Sequence, residues 1–418
     1  VDKSISVIIP TKDAGGSFRL LLSSLASQEG LDELEIIVVD SGSQDETLAT
    51  AAHFNSRIRI YPHEIFSHGD SRNFGAELAS HNYLFFTVQD ALIPDPYWLS
   101  AYLDTIENLD VVAASCVEYP HEHADLLFRG MMASHYEFIG LSADRVMSLP
   151  AKNDYISLRQ NAQLTNVSLL IRRDIFRQYR FRKPYAEDVD LGLRLIQDGH
   201  RTAYLSSLGI LHAHDREPDY YLRRGYIDNL MMGDIFSDRR RIQVGKLEIA
   251  LADIYAVADL LTQLAHSLST DGPLTARQLR RRFTRRFILG VLLSGRAQTR
   301  TSFLNRWLPA IPTNQADKTP GWRRWLRLLR WGLGSRRIRD LQNGFAVEYI
   351  FFVRAVLFNY LERVYPSLDD APHDAFWDAC WRALGFTAGE HLSHFYSDQG
   401  SSKSPLMAEI DRNLRQGV

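Results

Sequence analysis

The sequence predicts an α/β protein built on a mostly parallel sheet flanked by helices, followed by a helical C-terminal domain. Three observations predict it. Short β-branched apolar runs alternate with helix-like stretches through the first half of the chain, the pattern of a parallel sheet covered on both faces. Asp90 stands just past one of these runs, at the carboxyl end of a buried strand, the edge where open α/β sheets take ligands. Beyond about residue 236 the periodicity becomes helical and arginine-rich, with no alternation. The expected domains are therefore 1–240 and 241–418.

In chain order, apolar runs predict strands at 4–10, 34–39, 58–61, 83–88 and 111–117. Between them, helical spacing predicts helices at 17–28, 45–54, 71–79 and 96–107. Asp45 and Pro96 suit helix starts, because a carboxylate is favoured at the positive helix end and proline is tolerated in the first turn. Residues 124–161 read as irregular and polar. Alternation returns at 165–171, an amphipathic helix follows at 187–198, and two short strands at 202–205 and 210–212 close the pattern. No repeat of fixed period is visible.

A chain of 418 residues with 45% hydrophobic and 23% charged residues is an ordinary globular composition, longer than one domain usually runs. The net charge of −2 conceals a basic segment, since between Arg277 and Arg339 the only acidic residue is Asp317. Cys116 and Cys380 give neither a disulfide framework nor metal-ligand spacing, which favours a reducing compartment. The first apolar run is too short for a signal peptide, and the absence of an initiating methionine points to an excised segment. The most apolar later stretch, 345–358, is interrupted by Glu348 and Arg354 and falls short of a bilayer span. These features predict a cytoplasmic protein with no transmembrane helix.

Several short constellations carry chemistry. Asp40 ends the second apolar run before Ser41-Gly42-Ser43; a carboxylate there can accept the N3 hydrogen of a uracil or thymine, or cap the next helix. Ser71-Arg72-Asn73-Phe74-Gly75 opens a helix, where backbone N–H groups and the Arg72 guanidinium suit a pyrophosphate. A surface arginine at a helix start is the plainer alternative, and Gly75 would let the helix approach its neighbour closely. Hard Mg²⁺ or Mn²⁺ prefers oxygen ligands, which makes Asp90, in Val88-Gln89-Asp90, either a metal ligand or simply a strand-end residue.

Glu187-Asp188-Val189-Asp190 also opens a helix, where acidic residues are favoured electrostatically. Clustered carboxylates raise one another's pKa as well, which suits a general base. His212 and His214 would point the same way from an extended segment, as a shared metal ligand pair or as two of fourteen ordinary histidines. Tyr97 and Trp98 read as helix-packing residues. The stretches 277–287 and 322–331 space arginines among leucines and tryptophans, as an interfacial helix on anionic lipid does, or as a packed stripe with solvated arginines does. Nucleic-acid binding is weaker, because no binding module accompanies the arginines.

Taken in order, the first strand, Asp40, Arg72-Asn73, Asp90, Glu187-Asp188 and His212 resemble the inverting family-2 glycosyltransferases of the GT-A fold, over residues 4–235. The resemblance implies a nucleotide-sugar-binding sheet with donor contacts from Pro10, Thr11, Asp13, Asp40, Ser41, Arg72, Asn73, Gln89 and Asn166. It implies Mg²⁺ or Mn²⁺ on Asp90, His212 and His214, Asp188 as general base, and Glu187 orienting acceptor or base, with Asp190 capping or in solvent. The family's usual Asp-x-Asp is departed from, since Val88 holds its first position. The Gln89-Asp90-Ala91 form looks most like rhamnosyltransferases of bacterial surface polysaccharide assembly. It implies dTDP-rhamnose first and a UDP-hexose second as donor, and a saccharide or lipid-linked saccharide as acceptor. A non-catalytic scaffold that kept the fold is a different reading, with the missing first Asp as its mark. A nucleotidyltransferase is another, for which Thr11-Lys12-Asp13-Ala14-Gly15-Gly16 is a faint match to a glycine-rich loop. Beyond residue 240 no resemblance is recognised.

Overall fold

The computed structural model describes residues 2–54, 56–62, 67–121, 124–212, 216–236, 247–268, 274–293, 344–370, 373–398 and 405–415. The chain divides into two compact units, Val1–Arg216 with Leu230–Arg239, and Glu217–Asn229 with Arg240–Val418.

The first unit runs β1 (Ser4–Thr11), α1 (Gly15–Ala26), β2 (Glu33–Asp40), α2 (Thr47–His53), β3 (Arg57–Ile60), α3 (His68–Leu78), β4 (Tyr83–Phe86), α4 (Trp98–Leu109) and β5 (Ala113–Tyr119). It continues with α5 (Leu126–Phe138), β6 (Arg145–Met147), α6 (Tyr155–Asn161), β7 (Leu169–Arg172), α7 (Arg173–Tyr179), α8 (Glu187–Gln197) and β8 (Thr202–Leu211). Eight strands form one sheet in the order β3-β2-β1-β4-β7-β5-β8-β6. Strands β3, β2, β1 and β4 are mutually parallel, β5 and β8 likewise, and β7 runs antiparallel between β4 and β5. The sheet is thus mixed, with parallel pairing predominant.

Alternation along β1 divides the core. Ile5, Val7 and Ile9 pack with Phe18, Leu21 and Leu25 of α1 and with Trp98, Tyr102 and Ile106 of α4, while Ile8 turns to the opposite face with Phe86, Leu191 and Leu195. Residues buried on both faces of a sheet read as near-continuous apolar runs, which is why these strands were visible in sequence. Helix α3 lies against that second face through Gly75, where an added Cβ would sit 2.5 Å from Ile8 Cγ2 and 2.9 Å from Val39 Cγ2.

The structure departs from expectation in four places. Residues 124–161 are not irregular but hold α5, β6 and α6, with Asp125 and Asp154 capping the two helices by accepting from the Phe128 and Ser157 N–H groups, both at 2.8 Å. The strands expected at 202–205 and 210–212 are one strand, β8, whose register against β5 shifts between Cys116 and Val117. Asp144 explains the interruption, since it accepts from the Ser206 and Ser207 N–H groups at 2.8 and 2.7 Å. Helix α7 went unseen. Strand β4 ends at Phe86, so Asp90 stands in a turn beyond it.

The second unit is helical in its described residues. It contains most of α9 (Pro218–Ile235), then α10 (Leu247–Leu268), α11 (Ala276–Leu293), a helix Phe345–Phe352 continued by a π-helical turn Val353–Phe358 and Asn359–Val364, and the helices His373–Asp398 and Pro405–Arg415. Helix α11 buries Leu279, Phe283 and Phe287, and Phe283 meets Phe358 and Phe376 edge-on. Arg280 pairs with Glu362 at 3.0 Å. Both cysteines are free and buried. Among the described residues no helix is long and apolar enough to cross a membrane. The stretch 322–331 lies outside the described residues.

Candidate active site

Because β1, β2, β4, β5 and β8 share a direction, their carboxyl ends open at one edge, and most of the expected site residues lie in three groups there.

The first group is the loop pair after β1 and β2. Thr11 Oγ1 and Ser43 Oγ donate to Asp40 Oδ1 at 3.0 and 2.5 Å, and the Gly42 and Ser43 N–H groups donate to Oδ2 at 2.9 Å each. A carboxylate has about four lone-pair directions, and Asp40, fully buried, spends them on its own loop. In this structure Asp40 holds its own loop, at the position where a base contact is expected. Ser41 is also buried, its N–H donating to the Thr11 carbonyl at 2.9 Å. Asp13, at φ 43°, accepts from the Gln44 N–H at 2.7 Å and stays exposed. Pro10 sits at the strand end, opposite Val39. Gln89 grips the Lys12 backbone from both sides, accepting from its N–H at 2.8 Å and donating to its carbonyl at 3.2 Å. Gln89, expected to contact the donor, is thus also a brace that ties the first loop to Asp90.

The second group surrounds the start of α8. Helix α3 begins at His68, capped by Ser67, which accepts from the Asp70 N–H at 3.0 Å, so Arg72 lies one turn inside rather than at the opening. Arg72 is buried; its guanidinium donates to Glu187 Oε1 and to the His68 carbonyl, both at 3.0 Å. Arg72, expected to contact a pyrophosphate, forms a buried ion pair with Glu187 in this structure. The Asn73 amide exchanges two hydrogen bonds with the Phe181 backbone at 2.9 and 3.1 Å. Asn166 donates through Nδ2 to Glu187 Oε1 at 2.8 Å and through its backbone to Asp188 Oδ2 at 3.1 Å. Asp188 Oδ1 accepts from the Val189 N–H at 2.8 Å. Asp190, expected in solvent or as a cap, is buried and paired with Arg194 at 2.9 Å.

Burial pushes Glu187 up to about 7, with Arg72 opposing and the neighbouring Asp188 charge adding to the rise. Burial also raises Asp188, against the N–H groups of Asn166 and Val189 that favour its ionised form. Glu187 is enclosed, whereas Asp188 keeps part of its surface. The pair is therefore one fixed carboxyl and one reachable carboxylate with raised proton affinity, the combination a base needs.

The third group joins Asp90 to His212. His212 Nε2 lies 3.6 Å from Asp90 Oδ1, and its Nδ1 bonds Glu118 Oε2 at 2.9 Å. The 3.6 Å separation exceeds a hydrogen bond; two ligands sharing an octahedral Mg²⁺ at about 2.1 Å lie about 3.0 Å apart. A hard-oxygen and imidazole donor pair, partly exposed at Asp90 and oriented from behind by a carboxylate, fits a divalent ion that also takes diphosphate oxygens and water. Among the described residues no set of three or more His, Cys, Asp or Glu side chains is gathered as a metal cluster. His214 lies outside the described residues.

Sequence reasoning missed Glu118. Its signal was a lone carboxylate in the run Ala113–Tyr119, which is otherwise buried through Val117.

Residues 6–179 match the family model described as Glycosyl transferase family 2. The chain is similar to the O-antigen chain rhamnosyltransferase RfbN of Salmonella typhimurium, 28% identical over 236 residues that cover 54% of this chain and 70% of that protein. It is similar to the O-antigen chain rhamnosyltransferase WbaN of Salmonella anatum, 25% identical over 230 residues with the same two coverages of 54% and 70%. A solved structure of S. aureus TarS 1-349 aligns over 85% of this chain and 88% of that one, at 16% identity and a TM-score of 0.40.

Proposed function

We propose, from the match of residues 6–179 to glycosyl transferase family 2, that this chain is an inverting glycosyltransferase that moves a sugar from a nucleoside diphosphate donor to a saccharide acceptor. The observation that carries this reading is the pairing of a reachable Asp188 with an enclosed Glu187 on the sheet edge that also holds Asp90 and His212. Asp188 takes the proton of the acceptor hydroxyl while that oxygen bonds to the anomeric carbon. The bond from that carbon to the diphosphate oxygen breaks on the opposite face. Glu187, held by Arg72 and Asn166, keeps the start of α8 in place beside the base. Asp90 and His212 would hold the Mg²⁺ or Mn²⁺ ion, with His214 as a further donor. When bound, the ion would neutralise charge on the departing diphosphate.

The rhamnosyltransferase names of the two Salmonella relatives support dTDP-rhamnose as first donor, and O-antigen or a similar bacterial surface polysaccharide as product, with a UDP-hexose second. Thermal shift against a panel of nucleotide sugars, with and without Mn²⁺, tests the donor. The anomeric configuration of the product tests the displacement, since retention would exclude a single step. Asp90→Ala is expected to lose the Mn²⁺-dependent part of donor affinity at unchanged melting temperature, because a half-exposed turn residue adds little to the core. Equal donor affinity in that variant, or full activity in EDTA, would remove the ion from the mechanism.

A peripheral contact with anionic lipid at the cytoplasmic membrane face is proposed for the second unit. The supporting observation is α11, where Arg277, Arg281 and Arg285 are exposed at helical spacing while Leu279, Phe283 and Phe287 are buried. Each such cation contributes about 1 kcal/mol near a charged surface, so Arg281→Gln should weaken co-sedimentation with anionic liposomes about fivefold at low salt. No binding to such vesicles by the wild-type protein would end the membrane reading.

A further inference from the structure

Glu118 is held more firmly than a bystander on a strand end would be. It is 8% exposed. Its peptide N–H donates to the Tyr136 hydroxyl at 2.6 Å, and that hydroxyl donates back to the Glu118 carbonyl at 3.1 Å. Its carboxylate accepts from Thr165 Oγ1 through Oε1 at 3.0 Å and meets His212 Nδ1 through Oε2 at 2.9 Å. Elements far apart in sequence, α5, the turn before β7 and the end of β8, converge on this one side chain. His212 is fixed as well by its own backbone, whose N–H donates to the Tyr119 carbonyl at 3.0 Å.

A carboxylate accepts hydrogen bonds and donates none, so the proton in the 2.9 Å contact belongs to Nδ1. In a neutral imidazole that leaves the lone pair on Nε2, the nitrogen 3.6 Å from Asp90. We propose that Glu118 is a positioning residue that fixes His212 as the Nδ1–H tautomer and so presents Nε2 as an electron-pair donor beside Asp90. The proposal rests on the divalent-ion reading of Asp90 and His212 only for its consequence, not for the tautomer itself. Carboxylate partners of this kind raise ligand basicity, and their loss usually costs about 10- to 100-fold in metal affinity.

The test has two readouts on the full chain. First, long-range ¹⁵N-detected imidazole spectra of the metal-free wild-type protein, assigned with His212→Gln, should show Nδ1 protonated and Nε2 unprotonated at neutral pH. An Nε2-protonated or doubly protonated ring there would overturn the proposal without any variant having to fold. Second, Glu118→Gln keeps the side-chain volume but can also donate to Nδ1, so the spectrum should move toward the other tautomer. Mn²⁺ affinity, titrated by electron paramagnetic resonance in saturating dTDP, should fall about 10- to 100-fold. An unchanged tautomer or unchanged Mn²⁺ affinity in that variant would overturn the assignment to Glu118. If the wild-type protein binds no Mn²⁺, the divalent-ion reading fails by itself, and the tautomer spectra alone decide the role of Glu118.

Discussion

Asp188→Asn is expected to slow sugar transfer by about 10²- to 10⁴-fold, the range for losing a positioned general base, while leaving donor affinity unchanged. Asparagine matches aspartate in size, and its carbonyl can still accept one of the two N–H bonds from Asn166 and Val189 that hold the side chain. Only the capacity to take a proton is removed. Because burial raises Asp188 above the ordinary aspartate value, the wild-type rate should fall on acidification at a higher pH than a solvated aspartate would give, and the residual rate of the variant should lack that limb. Transfer at the original rate would move the base to Glu187 or elsewhere. Glu187 is the weaker candidate, since it is enclosed and already accepts from both Arg72 and Asn166.

Arg72→Met should destabilise the first unit by about 3–5 kcal/mol, the usual result of removing one partner of a buried ion pair. Both side chains of the Arg72–Glu187 pair are 5% exposed, so no solvent screens the charge left behind. The pH dependence has a definite sign. Glu187 is raised from 4.5 to about 7, so the folded state holds its proton more tightly than the unfolded state does. That contribution is fully present below about 4.5 and is lost as pH rises through about 7. Without Arg72 the carboxyl rises further, so the loss of stability should be larger at about pH 8 than at about pH 5. Adding Glu187→Gln should recover much of it, because a neutral amide can still accept from Asn166 and leaves no charge to desolvate. Urea unfolding of the wild type, both single variants and the double variant at the two pH values measures the coupling. A cost independent of pH, or no recovery in the double variant, would mean that Arg72 acts through packing alone.

Much of the first unit was legible because its central strands are buried on both faces. Ile5 to Ile9, Ile37 to Val39 and Leu84 to Phe86 have no solvated side to interrupt the apolar run. The turn residues at their carboxyl ends then marked the site edge. What was not legible came from partners distant in sequence. Arg72 reads as a phosphate-binding arginine, and its ion pair with Glu187, 115 residues away, shows only in the folded chain. Asp40 reads as a ligand-facing carboxylate, and only the folded loop shows the hydrogen bonds it accepts from Thr11, Gly42 and Ser43. Glu118 gains its meaning only from His212, 94 residues later. Helix α5 was hidden for a local reason, since its buried residues cluster at its amino-terminal end and Gly130, Ser134, His135 and Glu137 dilute the period that reveals an amphipathic helix.

The antiparallel placement of β7 between β4 and β5 bears on how this protein emerges from the ribosome. Strands β1 to β4 can pair as soon as residue 86 is made, but the open flank of that half-sheet is β4, whose Tyr83–Phe86 stretch has three aromatic residues of four. A bare, apolar strand edge is a template for pairing with another chain. It is covered only when Leu169–Arg172 arrives, more than eighty residues later, and closing so long a loop is slow. Any truncation that stops before β7 should therefore aggregate even though four strands and their helices are complete, and slow translation through 87–168 would lengthen the exposure in the cell.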